Sequence, residues 1–406
     1  MQTQLHQEPE NLTVSPGELR PAHSTGRLRV LHVLSCLGLG GTEHGVLKII
    51  RGLGDDEFEH QICAVRGIDE SFAHQMKIEA KMSAVGTREP GFQFPLFRLA
   101  RLMKQFRPHV VHTRNFGALE AIPAARMTRV PVAIHSEHGY ELETLKGLPL
   151  RRRIVCSAFY ALADQVFTVT EDLRDYYSRQ AWLSPKRFRV IYNGVNTDLF
   201  RPRPEIAASL RSALGISAGR VVIGSVGRIV PIKDYKTLLQ ATEILVRQGR
   251  DVQVLLVGSG PELPKLREEA AASPELAGRI LFLGASDGIP DLLNAMDVFV
   301  LPSISEGMSN TILEAMATGL PPVVTRAGGN PELVEDGRVG CLFNPGDVQA
   351  LAGLLSRLAD ETVLRRRYGQ AARQRAVEHF SLAVMMRHYR DLYLDLASRR
   401  GAWKGN

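Results

Sequence analysis

Short apolar runs that read as strands alternate with helical segments along most of this 406-residue chain, and the alternation starts twice. The first series opens with Leu28-Arg29-Val30-Leu31-His32-Val33-Leu34. Further strands are expected near 60–65, 109–113, 131–136, 165–169 and 188–192, with helices near 43–53, 95–106, 117–128, 147–163 and 171–180. The second series opens at Val221 to Val226, with strands near 252–257, 279–283, 297–301, 321–325 and 340–342. Its helices are expected near 234–247, 261–271, 289–295, 310–318 and 346–358. Near-continuous apolar strands separated by helices pack as a parallel sheet covered on both faces. The chain is therefore expected to be α/β, with two similar domains and a cleft between them. Ligands of such sheets sit beyond the carboxyl ends of the strands.

The expected division is a polar, disordered arm over 1–26, a first domain over 27–202, a second over 203–379, and a tail over 380–406. In the tail Leu382, Met385, Met386, Tyr389, Leu392, Tyr393 and Leu396 form one helical stripe, which implies packing back on the protein. No apolar run approaches the ~20 residues of a spanning helix. The N-terminus lacks the charged start and apolar core of a signal peptide. Four cysteines (Cys36, Cys63, Cys156 and Cys341) are scattered without paired spacing, which fits free thiols in a reducing cytoplasm. The net charge of +7 favours phosphate-rich ligands or an anionic membrane face. It is spread without a basic block interleaved with aromatics, so nucleic acid is not an expected partner. The local cluster Arg151-Arg152-Arg153 reads either as a solvated helix start or as a membrane-surface contact.

The richest stretch is Glu306-Gly307-Met308-Ser309-Asn310-Thr311-Ile312-Leu313-Glu314. It follows the apolar Val298 to Leu301, ended by Pro302, and precedes the apolar Pro322 to Val324. That is a strand, a loop and a short helix beginning near Ser309 or Asn310. A loop glycine lets backbone approach a ligand, and the free N–H groups of a helix start favour phosphate. A carboxylate at each end can hold sugar hydroxyls or a developing positive charge. A purely structural reading also fits, with Thr311 and Glu314 as a capping box and Glu306 a solvated loop residue.

Other loops join it at the same end of the sheets. Gly227-Arg228 to Lys233 places two cations on one loop, enough to neutralise a pyrophosphate. Gly38 and Gly40-Gly41 follow the first strand, and Gly258-Ser259-Gly260 follows Val252 to Val257. Neither glycine turn is a dinucleotide fingerprint, because the third glycine is replaced by Glu43 in one and Leu263 in the other. Asn193-Gly194-Val195 marks a turn at the end of the first series. Thr113-Arg114-Asn115 and His135-Ser136-Glu137-His138-Gly139 end two first-domain strands. The two histidines lack a third ligand, so a metal site is not expected there. A histidine beside a polar substrate and a satisfied structural histidine both remain open.

Taken together, these loops resemble the retaining glycosyltransferases of family 4, over roughly residues 28 to 397. The carriers are Glu306 and Glu314 with Gly307, Asn310 and Ala315, then Gly227-Arg228 with Lys233, Gly258-x-Gly260, Asn193-Gly194-Val195 and Gly40-Gly41-x-Glu43. The phrases Leu39 to Leu53, Phe94 to Leu102, His112 to Asn115 and His135 to Gly139 are similar to the sugar transferases of exosortase-associated exopolysaccharide loci.

The resemblance implies the GT-B fold of two facing Rossmann-like domains and a nucleotide-diphosphate sugar as co-substrate, with no metal. It implies that Arg228 and Lys233 bind the pyrophosphate, that Glu314 holds ribose hydroxyls and that Glu306 contacts the transferred sugar. The backbone of Gly307, Met308, Ser309, Asn310 and Thr311, with Gly40 and Gly41, would complete the phosphate site. Gly258 and Gly260 belong to the same donor side. A histidine by the sugar is implied, and His138 fits better than His135. The acceptor implied is a saccharide or lipid-linked saccharide. Front-face attack with retention is the implied chemistry, the departing phosphate taking the acceptor's proton. Two alternatives share the layout: a non-hydrolysing nucleotide-sugar epimerase, which the Glu306/Glu314 pair disfavours, and a non-catalytic nucleotide-sugar-binding subunit.

Overall fold

The structure is a computed structural model that describes residues 26–38, 40–78, 80–86, 95–140, 144–145 and 147–403. The N-terminal arm expected over 1–26 therefore lies, but for Gly26, outside the described residues, as does Leu39 of the first glycine turn.

The first domain runs β1 (Leu28–Leu34), α1 (Gly41–Leu53), β2 (Phe58–Ala64), α2 (Glu70–Gln75), β3 (Lys81–Ala84), α3 (Leu96–Phe106) and β4 (Val110–Arg114). It continues with α4 (Ala121–Met127), β5 (Val132–Glu137), α5 (Leu150–Leu162), β6 (Gln165–Thr168), α6 (Glu171–Gln180) and β7 (Phe188–Val190). Its strands form a parallel sheet in the order β3-β2-β1-β4-β5-β6-β7. The apolar run of β1 is buried along nearly its whole length, as a central parallel strand requires.

The second domain runs α7 (Pro204–Ala213), β8 (Val221–Val226), α8 (Tyr235–Arg247), β9 (Val252–Val257), α9 (Leu263–Ala272) and β10 (Ile280–Gly284). Then come α10 (Ile289–Asn294), β11 (Val298–Leu301), α11 (Asn310–Ala317), β12 (Pro322–Thr325), α12 (Asn330–Leu333), β13 (Cys341–Phe343), α13 (Val348–Asp360) and α14 (Thr362–Phe380). Its parallel sheet has the order β10-β9-β8-β11-β12-β13. In both sheets the order reverses beside the first strand of the series, between β1 and β4 and between β8 and β11. Such a reversal opens a crevice at the strand carboxyl ends.

The last helix, α15 (Leu382–Arg399), crosses back to the first domain. The chain turns at Ser381, which is extended and whose hydroxyl accepts the Val384 N–H at 3.4 Å. Val195 clasps this turn, its N–H donating to Phe380 O at 2.8 Å while its carbonyl accepts from Leu382 at 2.9 Å. The stripe Met385, Tyr389, Leu392 and Tyr393 then packs on Leu28, Val30, Phe58 and Phe167, which explains why so amphipathic a tail was needed. Elements α2, β3, α7, α12 and α14 were not among those expected. Three of them, α2, β3 and α12, are short, and β3 is an edge strand of mixed exposure with weak alternation.

Candidate functional site

β11 ends at Leu301, and the loop that follows is held against the loop after β8 by Ile304 N–H donating to Ile232 O at 2.8 Å. This pairing brings Lys233 to Glu306. The Lys233 ammonium donates to Glu306 Oε1, and Ser303 Oγ donates to the same oxygen at 2.6 Å. Ser303 is fully buried, and its carbonyl accepts from Thr325 Oγ1 at 2.6 Å. The Glu306 carboxylate is therefore held through Oε1 by two donors, while Arg228 on the same loop as Lys233 stays exposed.

Gly258 and Gly260 shape that loop rather than standing at its tip. Both have positive φ, 145° and 159°, and a Cβ on either would collide with the carbonyl of Gly227 or of Ile229. The two loops are zipped by Gly227 N–H to Val257 O at 3.0 Å and Ile229 N–H to Ser259 O at 2.8 Å.

α11 begins at Asn310, and its cap is Ser309, whose hydroxyl accepts the Ile312 N–H at 3.4 Å. The capping box considered for Thr311 and Glu314 is not formed. Thr311 already sits inside the first turn, its hydroxyl 3.1 Å from Ser309 Oγ, so it cannot cap. Met308 is buried and its sulfur accepts the Asn193 N–H at 3.0 Å. Gly328 and Gly329 back the loop, with Gly329 N–H donating to Glu306 O at 3.3 Å and Gly307 O at 3.2 Å.

The first domain meets this stretch directly. A Cβ on Gly307 would lie 2.8 Å from the carbonyl oxygen of His138 and 2.9 Å from Gly139 Cα. A Cβ on Gly41, at the start of α1, would lie 3.8 Å from Asn310 Nδ2. Gly40 is the N-cap of α1 in an extended conformation. The starts of α1 and α11 thus face each other across the cleft.

His138 is held by its backbone N–H, which donates to Asn115 Oδ1 at 2.9 Å. Asn115 sits at φ +57°, and its amide donates to Thr42 Oγ1 at 3.2 Å, tying the loop after β4 to α1. The ring Nε2 of His138 lies 2.9 Å from Ser136 Oγ. Burial, then the charge of Arg114, push His138 down to about 3, so the ring is neutral near pH 7. His135 goes elsewhere. It is fully buried on the opposite face of β5, between Thr113 Oγ1 at 2.7 Å and Glu137 Oε1 at 3.0 Å, and it stacks on Tyr160. Period-two alternation separates the two histidines.

Glu314 is half-buried in α11 and faces Lys48 of α1. Burial pushes its carboxyl up to about 7, although Lys48 pulls the other way. Burial lowers the Lys48 ammonium, whose Nζ also donates to Gly194 O at 3.3 Å. Lys48 and Ser303 carry no sequence signal of their own, whereas the Gly328-Gly329 pair after β12 is a readable mark of close backbone approach. A further tie comes from Glu332, whose carboxylate accepts the Glu171 and Asp172 N–H groups at 2.8 and 2.9 Å at the start of α6.

Two family models match this chain. Residues 39–199 match Glycosyltransferase Family 4, and residues 220–361 match Glycosyl transferases group 1. The chain belongs to the group 1/family 4 glycosyltransferases. This transferase is 29% identical to the UDP-Gal:alpha-D-GlcNAc-diphosphoundecaprenol alpha-1,3-galactosyltransferase of Escherichia coli, over 74% of this chain and 79% of that one. Its fold matches the glycosyltransferase of Rickettsia africae with a TM-score of 0.80, at 21% identity over 91% and 98% of the two chains. It matches Anabaena HepE, solved in complex with UDP, with a TM-score of 0.79 at 21% identity over 91% and 100%. The two parallel-sheet domains of the transferase are those of the GT-B fold.

Proposed function

We propose that this transferase moves a sugar from a uridine-diphosphate sugar to a lipid-linked saccharide, with retention of anomeric configuration, in exopolysaccharide assembly. The observation that carries the reading is the contact of Lys233 with Glu306, set against His138 across the cleft. The Escherichia coli relative acts from UDP-Gal on a diphosphoundecaprenol-linked sugar, and HepE binds UDP, which supports the choice of donor and acceptor class.

In this reading departure of the diphosphate puts negative charge beside Arg228, Lys233 and the N–H groups at the start of α11. Fixed donors stabilise that charge most where it develops. Glu306 faces the sugar as it gains oxocarbenium character, and Glu314 takes the ribose hydroxyls. Gly40, Gly41, Gly307, Ser309, Asn310 and Thr311 supply close backbone. The diphosphate receives the acceptor's proton, and no metal is required. Incubating UDP-hexoses with an undecaprenyl-diphosphate-linked sugar should give a glycolipid whose new linkage keeps the donor's anomeric configuration, also in EDTA. An inverted linkage, an epimerised donor, or no product with any UDP-, GDP- or ADP-sugar contradicts the proposal.

The acceptor class needs access to a membrane surface. Among the described residues no helix is long and apolar enough to cross a membrane. α5, however, leaves Leu150, Ile154 and Leu162 exposed on its outer side with Arg151. The arginine cluster is not three free charges, because Arg152 lies over the Phe116 ring at 4.0 Å and Arg153 over Trp182 at 4.3 Å. We propose that this apolar stripe and Arg151 rest on the anionic cytoplasmic face of the membrane. Cosedimentation with anionic vesicles at low salt should fall in Leu150→Asp/Ile154→Asp. No cosedimentation of the parent protein sinks the idea.

A further inference from the structure

Behind the cleft lies a charge with no opposite partner among the described residues. β4 places His112 and Arg114 on the same side of the first sheet. Arg114 is 1% exposed, and among the described residues no carboxylate forms an ion pair with it. Glu43 feels its field from further away. A guanidinium stays charged and only donates hydrogen bonds. Its Nη2 lies 3.1 Å from His112 Nδ1 and 3.2 Å from His32 Nδ1. Both ring nitrogens must then offer lone pairs, and Tyr393 Oη, 2.7 Å from His112 Nδ1, rotates its proton to suit.

The direction propagates. With Nδ1 accepting, neutral His112 carries its proton on Nε2, which lies 2.9 Å from Ser136 Oγ. The Ser136 hydroxyl accepts there and has its own proton to give. His138 Nε2 stands at 2.9 Å and Thr113 O at 3.4 Å, and the shorter contact takes the proton. The other branch runs the same way, from His32 Nε2 to His60 Nδ1 at 3.0 Å, leaving His60 Nε2 buried without a partner among the described residues.

We infer that Arg114 is a positioning residue for the transfer reaction: through His112 and Ser136 it fixes His138 as the Nδ1–H tautomer, so that His138 meets the donor sugar as a hydrogen-bond donor and not as a base. No described residue bonds His138 Nδ1, which leaves that N–H for a ligand. The inference rests on the proposed placement of His138 beside the transferred sugar. It accounts for a buried cation surrounded by histidines rather than carboxylates, since a carboxylate would absorb the donor that starts the chain.

The test is the tautomer itself, read by long-range proton–nitrogen NMR on histidine-labelled protein with His138→Gln as the assignment control. The parent protein should show His138 protonated at Nδ1. Ser136→Ala, which keeps the strand and removes the relay, should move the proton to Nε2, the form free imidazole favours in water. Arg114→Met should do the same, and Ser136→Ala alone decides the matter if Arg114→Met does not fold. Turnover in Ser136→Ala should fall by about tenfold with donor KM unchanged, the factor for one ordinary hydrogen bond. A parent protein with the proton on Nε2, or a tautomer unchanged in Ser136→Ala, overturns the inference. Because the NMR readout needs no substrate, it stands apart from the proposed transfer reaction, which is tested by its products and can fail while the tautomer result holds.

Discussion

At the mouth of the second sheet, the groups that meet are neighbours in the chain or sit on two zipped loops. Ser303 and Glu306 are three residues apart, and Lys233 reaches them through the Ile304–Ile232 hydrogen bond. At the mouth of the first sheet, the chain from His60 to His138 draws its members from β1, β2, β4 and β5, with Tyr393 from the far end of the sequence. One mouth is set by loop geometry and backbone; the other is set by side chains that only the completed sheet brings together. The second should therefore tolerate conservative side-chain changes poorly only at its charged tips. The first should transmit a change made deep in the sheet.

The sharpest blow to the second mouth is Glu306→Gln. It keeps the Ser303 contact and removes the charge proposed to face the sugar, so turnover should fall by about 10² to 10³ with donor affinity nearly unchanged. A wild-type rate would reduce the loop to scaffold. Next come Arg228→Ala and Lys233→Ala, each losing a charge-assisted contact and about 1.5–3 kcal/mol of UDP affinity by calorimetry. Both should also lower turnover, since each would face the charge that develops as the diphosphate leaves, and Lys233→Ala should lower it more because it also frees Glu306.

Glu314 gives a smaller, pH-dependent effect. Its folded carboxyl is raised to about 7, so it is largely protonated below that value and ionised above it. If it accepts ribose hydroxyls, UDP affinity should rise as pH rises through about 7, and Glu314→Gln should flatten the profile. Lys48 faces the same carboxyl and its charge opposes the upward push of burial, so Lys48→Met should shift the rise to higher pH. The smallest effect tests the cap: Ser309→Ala should cost about 1 kcal/mol of stability by denaturant melting, and Thr311→Ala less. The reverse order would restore the capping box.

The elements were legible because buried parallel strands write themselves as continuous apolar runs, β1 and β9 above all. The loop after β11 was legible because a glycine, a cap and two glutamates fall within nine residues. The helix start near Ser309 or Asn310 was legible too, but the alternative cap at Thr311 stayed open because both are good capping residues and only the backbone decides between them. His135 and His138 could be separated only once β5 was known to run through Glu137, which fixes which face each ring takes. Arg114 looked like a loop residue at a strand end. That it turns inward, onto His112 and His32, depends on three strands and α15 at once, and no local pattern records it.

In the proposed reading the second mouth holds a nucleotide diphosphate between Arg228, Lys233 and the start of α11. Thermal and chemical melting with UDP tests it most directly. At about 100 times its dissociation constant UDP should add about 2.7 kcal/mol of stability. That gain should disappear in the Arg228→Ala/Lys233→Ala double variant and survive in His138→Ala. No stabilisation by UDP, GDP or ADP, or a gain that the double variant keeps, would contradict the claim.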